Sequence, residues 1–199
     1  AGDFSRVYDL QTSDRSGFYF KLFGPGKRPE WSGIAKGCSH PHANPTRDNM
    51  HTYERQSEQL EMTGITDVPT SDLSWVSAET AMFNIPKNYA LLVPGGAPHR
   101  PEKHWPSRVY GELAARLLEK KIQPVLLGTS SENKVINEVM AQCPNAFNLI
   151  DKTSFSQIVA LAKQAQFSIG NDTGPMHLIA VAGCRSVALY SHASDPELC

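Results

Sequence analysis

Phe167-Ser168-Ile169-Gly170-Asn171-Asp172-Thr173-Gly174-Pro175-Met176-His177 reads as a short apolar strand, a tight turn and the first turn of a helix. The strand ends at Gly170, and Pro175 suits a first helical turn, where its missing N–H costs nothing. Gly174 lets a ligand come close to the backbone, and N–H groups left free at a helix start favour a phosphate or another anion. Thr173 can add a hydroxyl donor, and Asp172 can accept from a sugar or ribose hydroxyl. Asp and Thr are also ordinary helix caps, and spacing alone leaves both roles open for them. His177 lies on the same first turn, where a lone histidine is more often structural than catalytic.

The same pattern repeats upstream. Tyr89-Ala90-Leu91-Leu92-Val93 is a buried strand entering a turn at Pro94-Gly95-Gly96, and Val109, Leu113, Leu117 and Leu118 recur at helical spacing behind Pro106. Pro124 to Leu127 is a second strand closed by Gly128, followed by a polar helix from about Ser131 to Gln142. Phe147 to Ile150 is a third strand, and Thr153 or Ser154 caps a helix carrying Phe155, Ile158, Val159, Leu161 and Ala162. His177 to Ala182 is a short helix and Val187 to Tyr190 a fifth strand. This alternation with short loops predicts a parallel, doubly wound α/β sheet. The turns after Val93, Leu127, Ile150 and Ile169 should then converge on one crevice at the strands' carboxyl ends.

The first 65 residues are less regular. Val7-Tyr8-Asp9-Leu10 reads as a strand and Asn49 to Met62 as a helix stopped by Gly64, with a long Gly-, Pro-, His- and Asn-rich stretch from Phe23 to Asp48 between them. Residues 1–65 are expected to be part of a first domain, 66–88 a connector, and 89–199 the second domain. The chain starts without Met and stops soon after a strand, so a longer parent protein is expected.

Composition narrows the class. Of 199 residues, 40% are hydrophobic and 20% charged, an ordinary globular balance. A net charge of -1 argues against a generally basic nucleic-acid binder. No apolar run approaches the roughly 18 to 20 residues of a bilayer span. Cys38, Cys143, Cys184 and Cys199 stand far apart, which favours reduced thiols in a cytoplasmic protein. His40, His42 and His51, near Asp48, fit no standard zinc spacing, and no metal site is expected. Arg15, Lys21, Lys27, Arg28, Lys36 and Arg47 form a basic group that can meet an anionic acceptor or simply face solvent.

Two further segments carry candidate chemistry. In Pro94-Gly95-Gly96-Ala97-Pro98-His99-Arg100-Pro101-Glu102-Lys103-His104-Trp105-Pro106, glycines after a strand and a lysine near a helix start can grip a phosphate. Lys103 there can supply positive charge to a leaving diphosphate, or it can be an exposed loop lysine. In Gly128-Thr129-Ser130-Ser131-Glu132, the carboxylate can bind a ribose diol or complement a helix dipole. No GxGxxG stands after a strand and no GxxxxGK[ST] occurs, which weakens dinucleotide and P-loop readings.

Together these segments resemble glycosyltransferase family nine, the ADP-heptose:lipopolysaccharide heptosyltransferases. Gly170 to Leu178 resembles the family's signature, Pro94-Gly95 with Lys103-His104-Trp105-Pro106 its strand–loop–lysine segment, and Gly128 with Glu132 its third element. Val7-Tyr8-Asp9-Leu10-Gln11 with Arg15-Ser16 is similar to the Asp-Leu-Gln segment of its first domain. The resemblance is strong from Leu91 to Tyr190 and weak from Phe18 to Lys87.

It implies a GT-B-like fold, with a Rossmann-like sheet in the C-terminal lobe and part of a second α/β lobe at the N-terminus. It also implies inverting transfer of heptose from an ADP-sugar donor to a lipopolysaccharide core or other glycan acceptor, without cofactor or metal, in the cytoplasm and peripheral to the inner membrane. The donor residues it implies are Lys103, Gly128, Glu132, Asp172, Thr173, Gly174 and His177, with Ile150 to Thr153 flanking the adenine. Pro98 and His99 replace hydroxyl residues of the family loop. Gly2-Asp3 mimics the family's general-base site but runs straight into Val7, so the base is expected upstream of Ala1. The chain is therefore expected to bind donor better than it catalyses. Another GT-B enzyme using a UDP-sugar, an epimerase, and a non-catalytic nucleotide-sugar or glycan module are the alternatives.

Overall fold

The computed structural model describes residues 4–24, 26–97 and 99–198. Gly2-Asp3, Pro98 and Cys199 lie outside them. The chain divides into two compact units, Ser71–Asp195 and Ala1–Thr70 with Pro196–Cys199.

The larger unit is built on five parallel strands. They are β4 (Tyr89–Val93), β5 (Gln123–Leu126), β6 (Phe147–Asn148), β7 (Ser168–Asn171) and β8 (Ser186–Leu189), lying in the order β6-β5-β4-β7-β8. Helices α3 (Ser107–Glu119), α4 (Asn133–Gln142), α5 (Phe155–Ala162) and α6 (Gly174–Val181) connect or follow them. Every residue of β4 is buried because the strand feeds two cores at once. Tyr89, Leu91 and Val93 pack with Val125, Ile158, Leu161, Met176 and Ile179, on the side of α5 and α6. Ala90 and Leu92 pack with Tyr110, Ala114, Leu117, Ile136 and Val139, on the side of α3 and α4. Helices on both faces make this the doubly wound sheet that the alternation predicts.

The strand order reverses between β4 and β7, which are neighbours although β5 and β6 intervene in sequence. Loops leaving these two strands diverge to opposite faces and open a crevice at their carboxyl ends. Close approach here depends on Gly170. A Cβ on it would fall 2.6 Å from Met176 Sδ and 2.7 Å from Val93 Cβ.

Residues 71–88 pack onto this unit with little regular structure beyond a 3-10 turn at Ala81–Phe83. Lys163 Nζ holds their start, donating to the carbonyls of Leu73, Ser74 and Val76.

The smaller unit is also α/β. It has three parallel strands, β1 (Arg6–Tyr8), β2 (Glu30–Gly33) and β3 (His40–Pro41), and two helices, α1 (Asp14–Leu22) and α2 (Thr52–Glu61). The expected irregular stretch from Phe23 to Asp48 therefore contains two strands, and α1 precedes it. Ser13 and Ser16 form a capping box at the start of α1. Gln59 ties α2 to the sheet, donating from a buried position to Asp9 O, Ser32 O and Ser32 Oγ.

The histidines of this unit have separate tasks. His51 caps α2 through Tyr53 N, His42 meets Glu58, and His40 meets Ser39. Cys38, Cys143 and Cys184 are free and buried, and burial raises each thiol pKa.

Candidate active site

A crevice of about 760 Å³ opens at the switch point of the larger unit. Residues from four strand-end segments line it: Gly96, Ala97, His99, Arg100 and Lys103 after β4, Leu127 to Thr129 and Glu132 after β5, Thr153 to Phe155 and Ile158 after β6, and Asp172 to Pro175 after β7. The convergence expected of these turns is thus present. Among the described residues, six of the seven expected donor residues line this crevice, namely Lys103, Gly128, Glu132, Asp172, Thr173 and Gly174.

The seventh, His177, stands outside the lining and is exposed. Its Nε2 lies 3.1 Å from Asp172 Oδ1, so it reaches the site through that carboxylate. Ile150 is likewise not a wall residue, because it packs against the core beside α3 and α4. On that side the wall is Thr153, Ser154, Phe155 and Ile158, and the Phe155 ring is 76% exposed. The shift follows from the chain's path, since β6 ends two residues earlier than the apolar run suggests.

Asp172 is the electrostatic centre. Lys103 Nζ lies 2.9 Å from its Oδ2, Ser194 Oγ donates to the same oxygen at 3.0 Å, and side-chain exposure is 6% for Asp172 against 18% for Lys103. Burial pushes the Asp172 pKa up. The hydrogen bonds from Lys103 and Ser194, the charge of Lys103 and the contact with His177 together outweigh burial, so the pKa is lowered.

Of the two roles left open for Asp172 and Thr173, the side-chain cap of α6 is made by neither. Asp172 is engaged elsewhere. Thr173 occupies the cap position without a side-chain cap bond, and its Oγ1 is buried with no hydrogen-bond partner among the described residues. Pro175 stands in the first turn as expected. The backbone N–H groups of Met176 and His177 both bond to Thr173 O, which leaves the start of α6 to present Thr173 and Gly174.

Glu132 has a double attachment. Its Oε2 accepts from Thr129 N at 2.6 Å and closes a capping box with Thr129. Its carboxylate also sits where a side chain at Gly95 or Gly128 would have to go. The helix-start role and a place in the crevice wall are therefore compatible in one residue.

Asn171 is a residue whose part the sequence did not suggest. It is fully buried at the end of β7. Its Nδ2 donates to Pro94 O at 2.8 Å and Gly95 O at 3.0 Å, and its Oδ1 accepts from Trp105 N at 3.0 Å and Tyr110 OH at 3.1 Å. An Asn at a strand end in a turn-rich segment is the only signal in the sequence, and it is a weak one.

A doubly wound parallel sheet with a charged crevice at its switch point is an α/β lobe of Rossmann-like type, in which ligands sit at the carboxyl ends of the strands. The profile of glycosyltransferase family 9 (heptosyltransferase) matches residues 2–198, and the chain belongs to that family. It is 35% identical over 104 residues to lipopolysaccharide heptosyltransferase 2 of Escherichia coli K12, a match covering 50% of this chain and 30% of the relative. A match of 30% identity, again 50% of this chain and 30% of the relative, joins it to lipooligosaccharide heptosyltransferase 2 of Haemophilus influenzae.

The structure of E. coli ADP-heptose LPS heptosyltransferase II superposes with a TM-score of 0.71 at 24% identity, covering 98% of this chain and 65% of that one. A family 9 glycosyltransferase from Veillonella parvula gives 0.79 at 21% identity, over 99% and 60%. These likenesses show the fold, α/β with parallel sheets and of GT-B type. The matched part is about 30% of the curated relatives' length.

Proposed function

We propose that this chain carries the donor-binding part of a heptosyltransferase, which moves heptose with inversion from ADP-heptose to a lipopolysaccharide core acceptor. The observation that carries the reading is Lys103, whose amine lies in the crevice wall beside the start of α6. A diphosphate placed there meets a cation and the free N–H groups of Thr173 and Gly174, an arrangement suited to the charge that develops on a leaving nucleotide. Family membership supports the activity, and the relatives' names supply the sugar and the acceptor class.

In this reading an acceptor hydroxyl attacks the anomeric carbon from the face opposite ADP, and its proton passes to a general base on the acceptor side. The bond from that carbon to the diphosphate oxygen breaks, and ADP departs with the electron pair. Lys103 holds the charge that appears on ADP, so the residues described here need no cofactor or metal for this part. Glu132 accepts from the ribose hydroxyls, and Phe155 offers its exposed ring to the adenine. Asp172, positioned by His177, accepts from the sugar. The protein works in the cytoplasm, against the inner membrane where its acceptor sits. Among the described residues no helix is long and apolar enough to cross a membrane.

Titration of the chain with ADP-heptose, ADP and UDP tests the donor assignment. ADP-heptose and ADP should bind and UDP should bind more weakly. A preference for UDP would move the chain to another sugar-nucleotide class.

A further inference from the structure

The described residues at the two ends of the segment that follows β4, Pro94 and Gly95 on one side and Trp105 on the other, are held by one side chain. The four hydrogen bonds of Asn171 use both donors and both acceptor positions of its carboxamide, the whole of its capacity. They pin the loop at both ends, through Pro94 O and Gly95 O on one side and Trp105 N on the other.

The two pinned carbonyls belong to consecutive peptide units, and the described chain has no cis peptide bond. In a trans unit the carbonyl and the N–H point opposite ways. With Pro94 O and Gly95 O turned onto Asn171, the N–H groups of Gly95 and Gly96 turn away from it, and Gly96 lines the crevice. Successive N–H groups presented in this way form a concave surface for an anion. Both positions exclude a side chain. A Cβ at Gly95 would strike the Glu132 carboxylate, and one at Gly96 would fall 2.5 Å from His104 Nε2.

A separate observation marks the same turn. The side chains nearest a Cβ at Gly96 are His104, through Nε2, and Thr173, through Cγ2, and among the described residues His104 Nε2 and Thr173 Oγ1 are buried polar atoms with no hydrogen-bond partner. Buried polar atoms are rarely left unpaired, and these two side chains, which both flank Gly96, offer hydrogen-bonding capacity to a polar ligand at this turn.

We infer that Asn171 is a positioning residue for the donor diphosphate. Without touching the ligand, it turns the Gly95 and Gly96 amides toward the crevice and so supplies phosphate contacts that a loop without hydroxyl side chains would otherwise lack. This rests on the donor reading of the crevice.

The test is calorimetric titration with ADP and with adenosine on the wild type, Asn171→Ala and Tyr110→Phe, alongside thermal melts. Asn171→Ala should weaken ADP by about ten-fold or more while adenosine changes by less than about two-fold. Tyr110→Phe leaves Asn171 three of its four bonds and should lower the ADP-to-adenosine ratio in the same direction by a smaller factor. If Asn171→Ala does not fold, the Tyr110→Phe ratio decides. Equal losses for the two ligands, or an unchanged ADP affinity in folded variants, would overturn the inference. A folded wild type that binds adenosine but not ADP overturns the donor reading itself, and this one with it.

Discussion

Lys103 Nζ and Asp172 Oδ2 stand 2.9 Å apart in the crevice wall, so the cation best placed to meet a diphosphate is already held by a carboxylate. Ser194 and His177 hold the same carboxylate from other directions, which keeps it in place when the lysine moves. An entering diphosphate therefore competes with Asp172 for Lys103. Asp172→Asn removes that competition and one negative charge. ADP should bind this variant several-fold more tightly than the wild type, and calorimetry would read the change directly. ADP-heptose should gain less than ADP, because the variant loses an acceptor for sugar hydroxyls.

The lowered Asp172 pKa fixes a direction in acid. A carboxylate with a folded pKa below its ordinary 3.8 adds stability above that value and loses it as pH falls through the folded pKa. Thermal melts of the wild type should drop through this window, and Asp172→Asn should flatten that part of the profile. Parallel profiles would show that the pair contributes nothing to folding.

Phe155 is exposed at the rim and contributes little to the core, so its removal separates binding from stability. Phe155→Ala should weaken ADP and adenosine alike, by about three- to ten-fold, the range of an aromatic contact. The melting temperature should stay within about a degree or two. A loss for ADP alone would place the base elsewhere.

Gly170 is a packing requirement at the switch point. Gly170→Ala puts a methyl group against Met176 and Val93, and overpacking of this kind costs about 1–3 kcal/mol. Chemical denaturation should show that loss of stability. An unchanged midpoint would mean that β7 and α6 can separate without cost.

The larger unit was legible because its central strands, β4 and β5, are buried on both faces. Tyr89–Val93 and Gln123–Leu126 are nearly continuous apolar runs with glycine or proline behind them, and the chain folds within a residue or two of that reading. The smaller unit was less so. Strand β3 has two residues and β2 four, too few for a period to emerge, and α1 carries Gly17 amid aromatic residues. In the crevice, Lys103, Glu132 and Asp172 stood out as charged groups following strand-end glycines, but spacing alone left each a structural reading as well, and the resemblance to the family decided between them. Asn171 did not stand out, because its partners Tyr110, Trp105, Gly95 and Pro94 lie 61 to 77 positions away. Its role exists only once the sheet has brought β4 and β7 together.

If the switch-point crevice holds a diphosphate through Lys103, loss of that amine must weaken ADP binding. Calorimetric titration of ADP into the wild type and Lys103→Ala, both shown to be folded, tests it most directly. A charge-assisted contact of about 1.5–3 kcal/mol predicts a loss of roughly ten- to hundred-fold in ADP affinity. An equal affinity in the two proteins would make Lys103 a structural partner of Asp172 and nothing more.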